Sequence, residues 1–370
     1  MVRSAFLSEA GSEHQHMKLL GKLTMISMAK SPLRSGHETA FDDAARHCVA
    51  IGLDIGNGAG KLYSGLGQIL QESYVLYFDD RATFPNQGYV EYLEGDRADL
   101  AGRQWIGGIN AYYSNPTAIF RVTDSKEGKT ELCLQLLLSA LTHLPHRNDW
   151  HLTVVASIHD GATFGKAIAQ ALSGAHHVRL LGKESNVNIE IGKVLEEGAG
   201  TAYAIRHEYD FTNALLFDVG NGTTIVSAFN NLQMTYRDYA PDAGVEKLID
   251  AIALSESVRQ FLKRPADRHL IRAGIESGRF DYGTQCLGWN FKEAYLKALP
   301  DWFNQGLKPF VKAAETRVPA ATAIVAVGGG ACLPGIAQLL AKRGISVPQN
   351  ARWTNAKGLY EIALRLSARS

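Results

Sequence analysis

The chain has 370 residues and a formal net charge of +1, with 46% hydrophobic and 20% charged residues. This length is enough for two domains or one large one. The near-zero charge excludes a basic footprint for direct nucleic-acid binding. No apolar run reaches the roughly 18 to 20 residues of a membrane span, so we expect a cytoplasmic protein without a membrane partner. The four cysteines lack metal-binding spacing, which predicts free thiols.

Residues 1–48 differ from the remainder of the chain. They hold four of the five methionines and four of the twelve histidines, and no strand-like run. Chain termini are where disorder concentrates. We therefore expect either a disordered extension or a start codon assigned too far upstream, with the ordered chain beginning near Val49. A short amphipathic anchor from Met17 to Met28 is the alternative for this segment.

From Val49 onward, strand patterns precede helical patterns in both halves of the chain. Strands are predicted at 49–64 (a hairpin), 74–78, 152–157, 187–191, 214–229 (a second hairpin) and 323–327. Helices are predicted at 130–144, 161–173, 244–253, across most of 255–320, at 336–342 and at 356–366, and residues 194–205 predict a loop that enters a small-residue helix. Residues 79–108 are polar and predict an exposed subdomain. This order is typical of an α/β protein with mixed sheets.

Two matching turns stand 164 residues apart, each an apolar run followed by Asp-x-Gly-Asn-Gly. The apolar run predicts a buried strand. Gly-Asn-Gly predicts a tight turn whose backbone amides can approach a phosphate. The aspartate at the strand end can hold a divalent cation through water. The first turn comprises Asp54, Gly56, Asn57, Gly58, Ala59, Gly60 and Lys61, and the second comprises Asp218, Gly220, Asn221, Gly222, Thr223 and Thr224.

The two turns differ in their side chains, and each alone could be an ordinary hairpin, since Asn-Gly is a common turn dipeptide. The hydroxyls of Thr223 and Thr224 can donate to phosphate or to metal-bound water. The first turn offers only backbone at Ala59 and Gly60. Lys61 follows and can contact a phosphate, but a lysine here is equally typical of a solvated strand. We therefore predict the stronger phosphate grip at the second turn.

Three further segments complete the predicted nucleotide site. Gly328, Gly329 and Gly330 lie between a strand and a helix, where bare backbone can lie against an adenine ring or a phosphate. Gly244, Glu246 and Lys247, preceded by Asp242, are a candidate ribose and base edge, although Asp242 could simply cap a helix. Glu196 and Glu197 precede a small-residue helix, where a carboxylate can orient a water toward a phosphate.

These motifs, in this order, resemble the actin-type ATPase fold, and the details resemble the ParM/StbA family of bacterial plasmid-segregation actins. Residues 193–203 are similar to that family's catalytic segment, 239–245 to its turn before the nucleotide-facing helix, and 355–360 to its near-terminal segment. The resemblance implies an actin-like fold of two similar α/β domains around a nucleotide cleft. It places domain I at 49–205 with a subdomain inserted at about 79–130, domain II at 206–350, and at 351–370 a C-terminal helix packing back on domain I.

The resemblance also implies a mechanism. ATP, or alternatively GTP, would bind with Mg²⁺ in the cleft, with Asp54 and Asp218 on the metal and Glu197 and Asp218 as the catalytic residues. Closed subunits would polymerise head to tail into a filament, which hydrolysis would weaken. A DNA-binding adaptor would connect the filament to its plasmid cargo. The chain departs from the family at Ala59 and Gly60, where many relatives carry Ser or Thr.

Two other functions fit the same fold. A small-molecule kinase or phosphatase would need a catalytic base and a substrate pocket, and no clear sugar-binding segment occurs between residues 79 and 150. A nucleotide-gated scaffold with little turnover is also consistent with the departure at the first turn. A polymerisation assay with ATP and GTP separates filament formation from both.

Overall fold

The computed structural model describes residues 48–79, 86–240, 243–283 and 289–368. The predicted N-terminal extension lies outside these residues except for Cys48. Within the described ranges, no helix is long and apolar enough to cross a membrane. The three cysteines in these ranges are free thiols, as predicted.

A ten-stranded mixed sheet forms the first half of the described chain. Its strands are β1 (Cys48–Ile55), β2 (Ala59–Ser64), β3 (Gly67–Glu72), β4 (Tyr74–Phe78), β5 (Tyr89–Gly95), β6 (Gln104–Gly107), β7 (Phe120–Arg121), β8 (Asp149–Ile158), β9 (Gly174–Leu180) and β10 (Lys183–Glu196). They lie in the order β3-β2-β1-β8-β10-β9-β5-β6-β4-β7. The β1–β8 and β8–β10 pairs are parallel, and the others are antiparallel.

A four-stranded sheet repeats the start of the first one. Its strands are β11 (Asn213–Val219), β12 (Thr224–Asn230), β13 (Gln233–Ala240) and β14 (Ala323–Val327), in the order β13-β12-β11-β14. The β11–β12 and β12–β13 pairs are antiparallel and β11–β14 is parallel. The block β3-β2-β1-β8 has the same order and the same directions. The duplication suggested by the two glycine turns is therefore present in the strand topology.

Eleven α-helices occur in the described residues. They are α1 (Ile109–Ser114), α2 (Gly128–Leu141), α3 (Gly161–Leu172), α4 (Ala199–Ile205), α5 (Val245–Ala253), α6 (Glu256–Leu262), α7 (Arg268–Glu276), α8 (Lys292–Trp302), α9 (Lys308–Ala313), α10 (Ile336–Ala341) and α11 (Thr354–Ser367). A π-helical turn at Phe303–Leu307 joins α8 to α9. One hydrophobic cluster includes residues of the first sheet, α2 and α3, and another includes residues of the second sheet and α5 to α9.

Helices α4 and α11 cross at two glycines. A Cβ added to Gly358 would lie 1.7 Å from the Gly200 carbonyl oxygen, so neither helix can carry a side chain at the crossing. Gly52 of β1 also lies very close to α11, because a Cβ added to Gly52 would lie 2.1 Å from the Ala356 carbonyl oxygen. Close approach of backbones is the structural use of glycine here. The small-residue helix α4 therefore packs tightly against α11, and α11 lies against the strand that leads into the first glycine turn.

The expectation of an exposed segment at 79–108 was wrong for its second half. Tyr89, Val90 and Trp105 are fully buried, and β5 and β6 extend the first sheet. The polar residues that suggested exposure lie between these buried positions. Strands β9 and β13 were also missed, because each carries many polar residues. In β9 one of these, His176, is buried within 2.8 Å of the Tyr92 hydroxyl. The predicted division into domains stays a prediction.

Candidate functional site

The two glycine turns face each other across one cleft. A cavity of about 1050 Å³ lies between the β1–β2 and β11–β12 hairpins and reaches the glycines after β14. The predicted residues that line it are Asp54, Gly56, Asn57, Gly58, Ala59, Lys61, Glu197, Asp218, Gly220, Asn221, Gly222, Thr223, Gly328, Gly329 and Gly330. Segments far apart in the chain therefore meet at one site.

Two carbonyl groups of each turn accept hydrogen bonds from neighbouring segments. In the first turn the Gly56 and Gly58 carbonyls accept hydrogen bonds from Ser73, at 2.6 Å from Oγ and 3.3 Å from N. In the second turn Gly220 and Asn221 accept from the first amides of α5, at 3.1 and 2.8 Å. Because C=O and N–H point in opposite directions across a trans peptide, the amides that follow these carbonyls point away from Ser73 and from the start of α5. Each turn thus presents backbone donors, as an anion site requires.

The tips of the two turns are in contact with each other. A Cβ on Gly222 would lie 2.8 Å from Asn57 Nδ2, and one on Gly58 would lie 2.9 Å from Asn221 Cγ. Each asparagine therefore sits over the glycine of the opposite turn. A side chain at either glycine would push the hairpins apart, which explains why the Gly-Asn-Gly pattern occurs twice. The interlocking arrangement could not be deduced from either turn alone.

Five predicted site residues do not line the cavity: Gly60, Thr224, Gly244, Glu246 and Lys247. Thr224 is fully buried, and its hydroxyl donates to the Ala243 carbonyl at 2.9 Å instead of facing the cleft. It lies behind the turn because side chains alternate along a strand. The second turn thus offers one cleft-lining hydroxyl, that of Thr223, so the expected difference between the turns is smaller than the sequence suggested.

The other four residues support the site from behind or lie elsewhere. Gly60 lies in β2, and Gly244 packs directly behind Gly222. Glu246 accepts a 3.4 Å hydrogen bond from Asn221 Nδ2, while Lys247 lines a separate cavity beside α8. Asp242 lies outside the described residues.

The two aspartates at the strand ends have different electrostatic surroundings. Lys61 Nζ lies 2.7 Å from Asp54 Oδ2. Burial opposes ionisation of Asp54, but the Lys61 ammonium outweighs it and holds the pKa of this carboxyl below its usual range. Asp218 has no ion-pair partner in the described chain. Burial and the nearby Glu197 and Asp54 charges raise the pKa of Asp218 to about 7. Asp218 is therefore the carboxylate that a cation would stabilise most.

Glu196 and Glu197 have distinct roles in the loop before α4. Both oxygens of Glu196 have partners, since Oε1 accepts from the Gly161 amide at 2.8 Å and Oε2 lies 3.3 Å from Arg237 Nη1. The same Arg237 nitrogen donates to the Glu197 carbonyl oxygen at 2.8 Å. The Glu197 carboxylate pairs with Lys129 at 2.8 Å. Glu196 therefore ties the loop to α3 and β13, the Glu197 carboxylate pairs with Lys129, and both residues line the cavity.

The sequence-based reasoning missed several residues that line the cleft, among them Lys129, His159, Arg237, Arg272 and Glu276. They belong to helices, a strand and a loop without a motif, and only the fold brings them to the site. The sequence feature that could have indicated Lys129 is its position in the first turn of an apolar helix, where an acidic residue is favoured over a lysine.

The cleft contains three buried polar atoms that have no hydrogen-bond partner among the residues that the structure describes, and two of them are donors that suit a polyanion. Asn221 Oδ1, Arg237 Nη2 and Arg272 Nε are buried and have no hydrogen-bond partner. Two of these are guanidinium donors, which match phosphate geometry. Among the described residues no group of three or more His, Cys, Asp or Glu could hold a metal by itself. This donor set fits Mg²⁺ bound mainly through phosphate and water, with Asp218 nearby, better than a metal held entirely by protein.

The two halves also meet outside the turns. The Tyr112 hydroxyl on α1 donates to Asp267, whose other oxygen caps the start of α7 by accepting from His269 N at 2.8 Å. The His269 ring packs on Tyr112, with ring centroids 4.7 Å apart. This contact joins an element of the first half to one of the second.

Comparisons with known proteins identify the fold. Residues 52–200 match the family model described as "Actin like proteins N terminal domain". No curated protein sequence matches the chain.

Solved structures with the same fold include ParM from Bacillus thuringiensis with ATP, at 18% identity and a TM-score of 0.67, covering 87% of this chain and 100% of that one. The apo pSK41 ParM protein aligns at 14% identity and a TM-score of 0.61, covering 87% and 99%. The archaeal actin homolog Ta0583 aligns at 19% identity and a TM-score of 0.64, covering 86% and 99%. The predicted actin-like fold and the resemblance to ParM proteins are confirmed.

Proposed function

We propose that this chain, which has the actin-like fold of the ParM proteins, is a nucleotide-dependent, filament-forming ATPase. The observation that carries the proposal is that both glycine turns line one cleft while carbonyls of each turn are already engaged in hydrogen bonds, which leaves the amides that follow them as donors. Two such turns whose tips are in contact suit the phosphate chain of one nucleoside triphosphate better than two separate anions. The B. thuringiensis ParM structures with ATP, AMPPNP and ADP support a nucleotide as the ligand.

The residues of the cleft would have separate roles in binding and hydrolysis. The amides after Gly56, Gly58, Gly220 and Asn221 would bind phosphate oxygens. Asp218 would hold Mg²⁺, with Asp54 beside it, and the metal would neutralise charge on the phosphates. Glu197 would orient the attacking water, because it lines the same cavity as both turns.

Nucleotide binding would be coupled to the relative position of the two halves. A ligand held by both turns favours the arrangement in which the hairpins are close, and only such differential binding can shift a conformational equilibrium. A subunit locked in this closed form could then bind the next subunit head to tail. Such a contact does not close on itself and produces a filament. A DNA-binding adaptor would link the filament to plasmid DNA, consistent with the near-zero net charge.

The test is assembly of the full chain measured by light scattering and by pelleting, with phosphate release recorded in the same samples. With Mg²⁺ and ATP or GTP we expect rising scatter, pelleted protein and phosphate release. With ADP, or without nucleotide, we expect none of these. Turnover without assembly over a broad range of protein and salt concentrations would instead indicate a kinase- or phosphatase-like enzyme. Tight nucleotide binding with neither turnover nor assembly would indicate a scaffold.

A further inference from the structure

Lys129 is one of the few charged residues enclosed within the first half, and it forms an ion pair with Glu197. Its Nζ lies 2.8 Å from Glu197 Oε1, and the two side chains are only 8% and 13% exposed. Such a pair is not an ordinary surface salt bridge, whose partners stay solvated. Of the hydrogen bonds formed in the described part of the chain, this one alone engages the Glu197 carboxylate.

The position of Lys129 is unfavourable for the helix that carries it. Lys129 is the second residue of α2, and the partial positive charge of a helix N-terminus disfavours a cation there. Burial disfavours the ammonium further. The ion pair with Glu197, on the loop before α4, offsets these costs.

The start of α2 is fixed in place. A Cβ on Gly128 would lie 2.5 Å from the Val122 carbonyl oxygen, so the backbone there packs without room for a side chain. The backbone of Glu197 is fixed independently, since its amide donates to Ile158 at 3.0 Å and its carbonyl accepts from Arg237 at 2.8 Å. Both ends of the Lys129–Glu197 pair are therefore attached to rigid backbone.

We infer that Lys129 is the positioning residue for Glu197, holding its carboxylate at one place on the cleft wall so that it can orient water. The inference rests on the proposed hydrolysis and adds a residue to it. The role differs from that of Lys61, which pairs with Asp54 beside the first turn. Lys129 acts through Glu197, whose carboxylate accepts its hydrogen bond.

The experiment compares wild-type protein with Lys129→Met, Lys129→Arg, Glu197→Gln and the Lys129→Met/Glu197→Gln double variant. Lys166→Met, on the exposed face of α3, is the control. Three quantities are measured: the unfolding midpoint without nucleotide, the Kd for a fluorescent ATP analogue with Mg²⁺, and phosphate release at saturating ATP.

For Lys129→Met we expect a Kd close to wild type and a kcat lower by about 100-fold, the cost of a catalytic group displaced by about 1 Å. Lys129→Arg should recover part of that kcat. The double variant should turn over no more slowly than Glu197→Gln alone and should regain unfolding midpoint relative to Lys129→Met, because no unpaired carboxylate remains. The control should match wild type.

The outcomes separate this inference from the proposed function. Phosphate release by Lys129→Met within twofold of wild type would overturn the inference and leave the proposed hydrolysis intact. A double variant much slower than Glu197→Gln would also overturn it, because Lys129 would then act independently. Absence of nucleotide-dependent phosphate release from the wild-type protein would overturn the proposed hydrolysis, and this inference with it.

Discussion

Glu197→Gln should reduce phosphate release at saturating ATP by at least about 100-fold, within the range seen when a positioned acid–base group is removed. Glutamine keeps the size of the side chain and still accepts a hydrogen bond from Lys129, but it loses the charge that orients water. Nucleotide affinity should change little, because phosphate is held by the turn amides. Filaments formed by this variant should persist long after wild-type filaments have disassembled. Phosphate release in single-turnover mode measures the chemical step directly.

Glu196→Gln is the matched control for this result, since it makes the same chemical change one residue earlier. Both Glu196 oxygens are engaged, by the Gly161 amide and Arg237, so we expect a lower unfolding midpoint with turnover within a few-fold of wild type. If Glu196→Gln lost turnover while Glu197→Gln retained it, the assignment of the two carboxylates would be reversed.

Apparent affinity for Mg·ATP should fall about tenfold between pH 8 and pH 6, because Asp218, with a pKa of about 7, must be ionised to hold the metal. Asp218→Asn should bind weakly at pH 8 and show little change with pH over the same range. The measurement is a fluorescent-nucleotide titration at constant free Mg²⁺. Wild-type affinity that stays flat from pH 8 to pH 6 would remove Asp218 from the metal site.

The same group makes a second, opposite contribution in the nucleotide-free protein. The folded-state pKa of Asp218 lies above its unfolded value of 3.8, so the folded protein holds this proton more tightly. The stabilisation of the folded state that comes from this tighter proton binding is complete below about pH 4 and is lost as the pH rises through about 7. Asp218→Asn should therefore raise the urea midpoint of nucleotide-free protein at pH 8 and have a smaller effect at pH 5. A variant that is less stable at pH 8 would contradict a repulsive environment for this carboxylate.

The repeated motif located much of the cleft lining because these turns are set by local sequence. A turn that presents bare amides needs glycine, and glycine at fixed spacing after an apolar run is visible in a single chain. The second hairpin, the glycines after β14 and the small-residue helix were located correctly for this reason. The matching strand order of the two sheets follows from the same duplication.

The remaining features depend on how distant segments pack. Lys129 reaches Glu197 from 68 residues away, and nothing near either residue indicates the other. Arg237 lies on the missed strand β13. The orientation of Thr224 is decided by the strand pleat, so the sequence could not show that its hydroxyl bonds to Ala243. The shifted pKa of Asp218 likewise arises from burial and from neighbouring charges that only the fold brings together.

The central claim is that a single nucleotide is held by both glycine turns, and residue-resolved amide hydrogen exchange tests it most directly. We predict that Mg·ATP slows exchange at Asn57 and Ala59 in the first turn and at Asn221 and Gly222 in the second, to a similar degree and at the same nucleotide concentration. Slowed exchange at one turn, with the other unchanged at saturation, would contradict the claim.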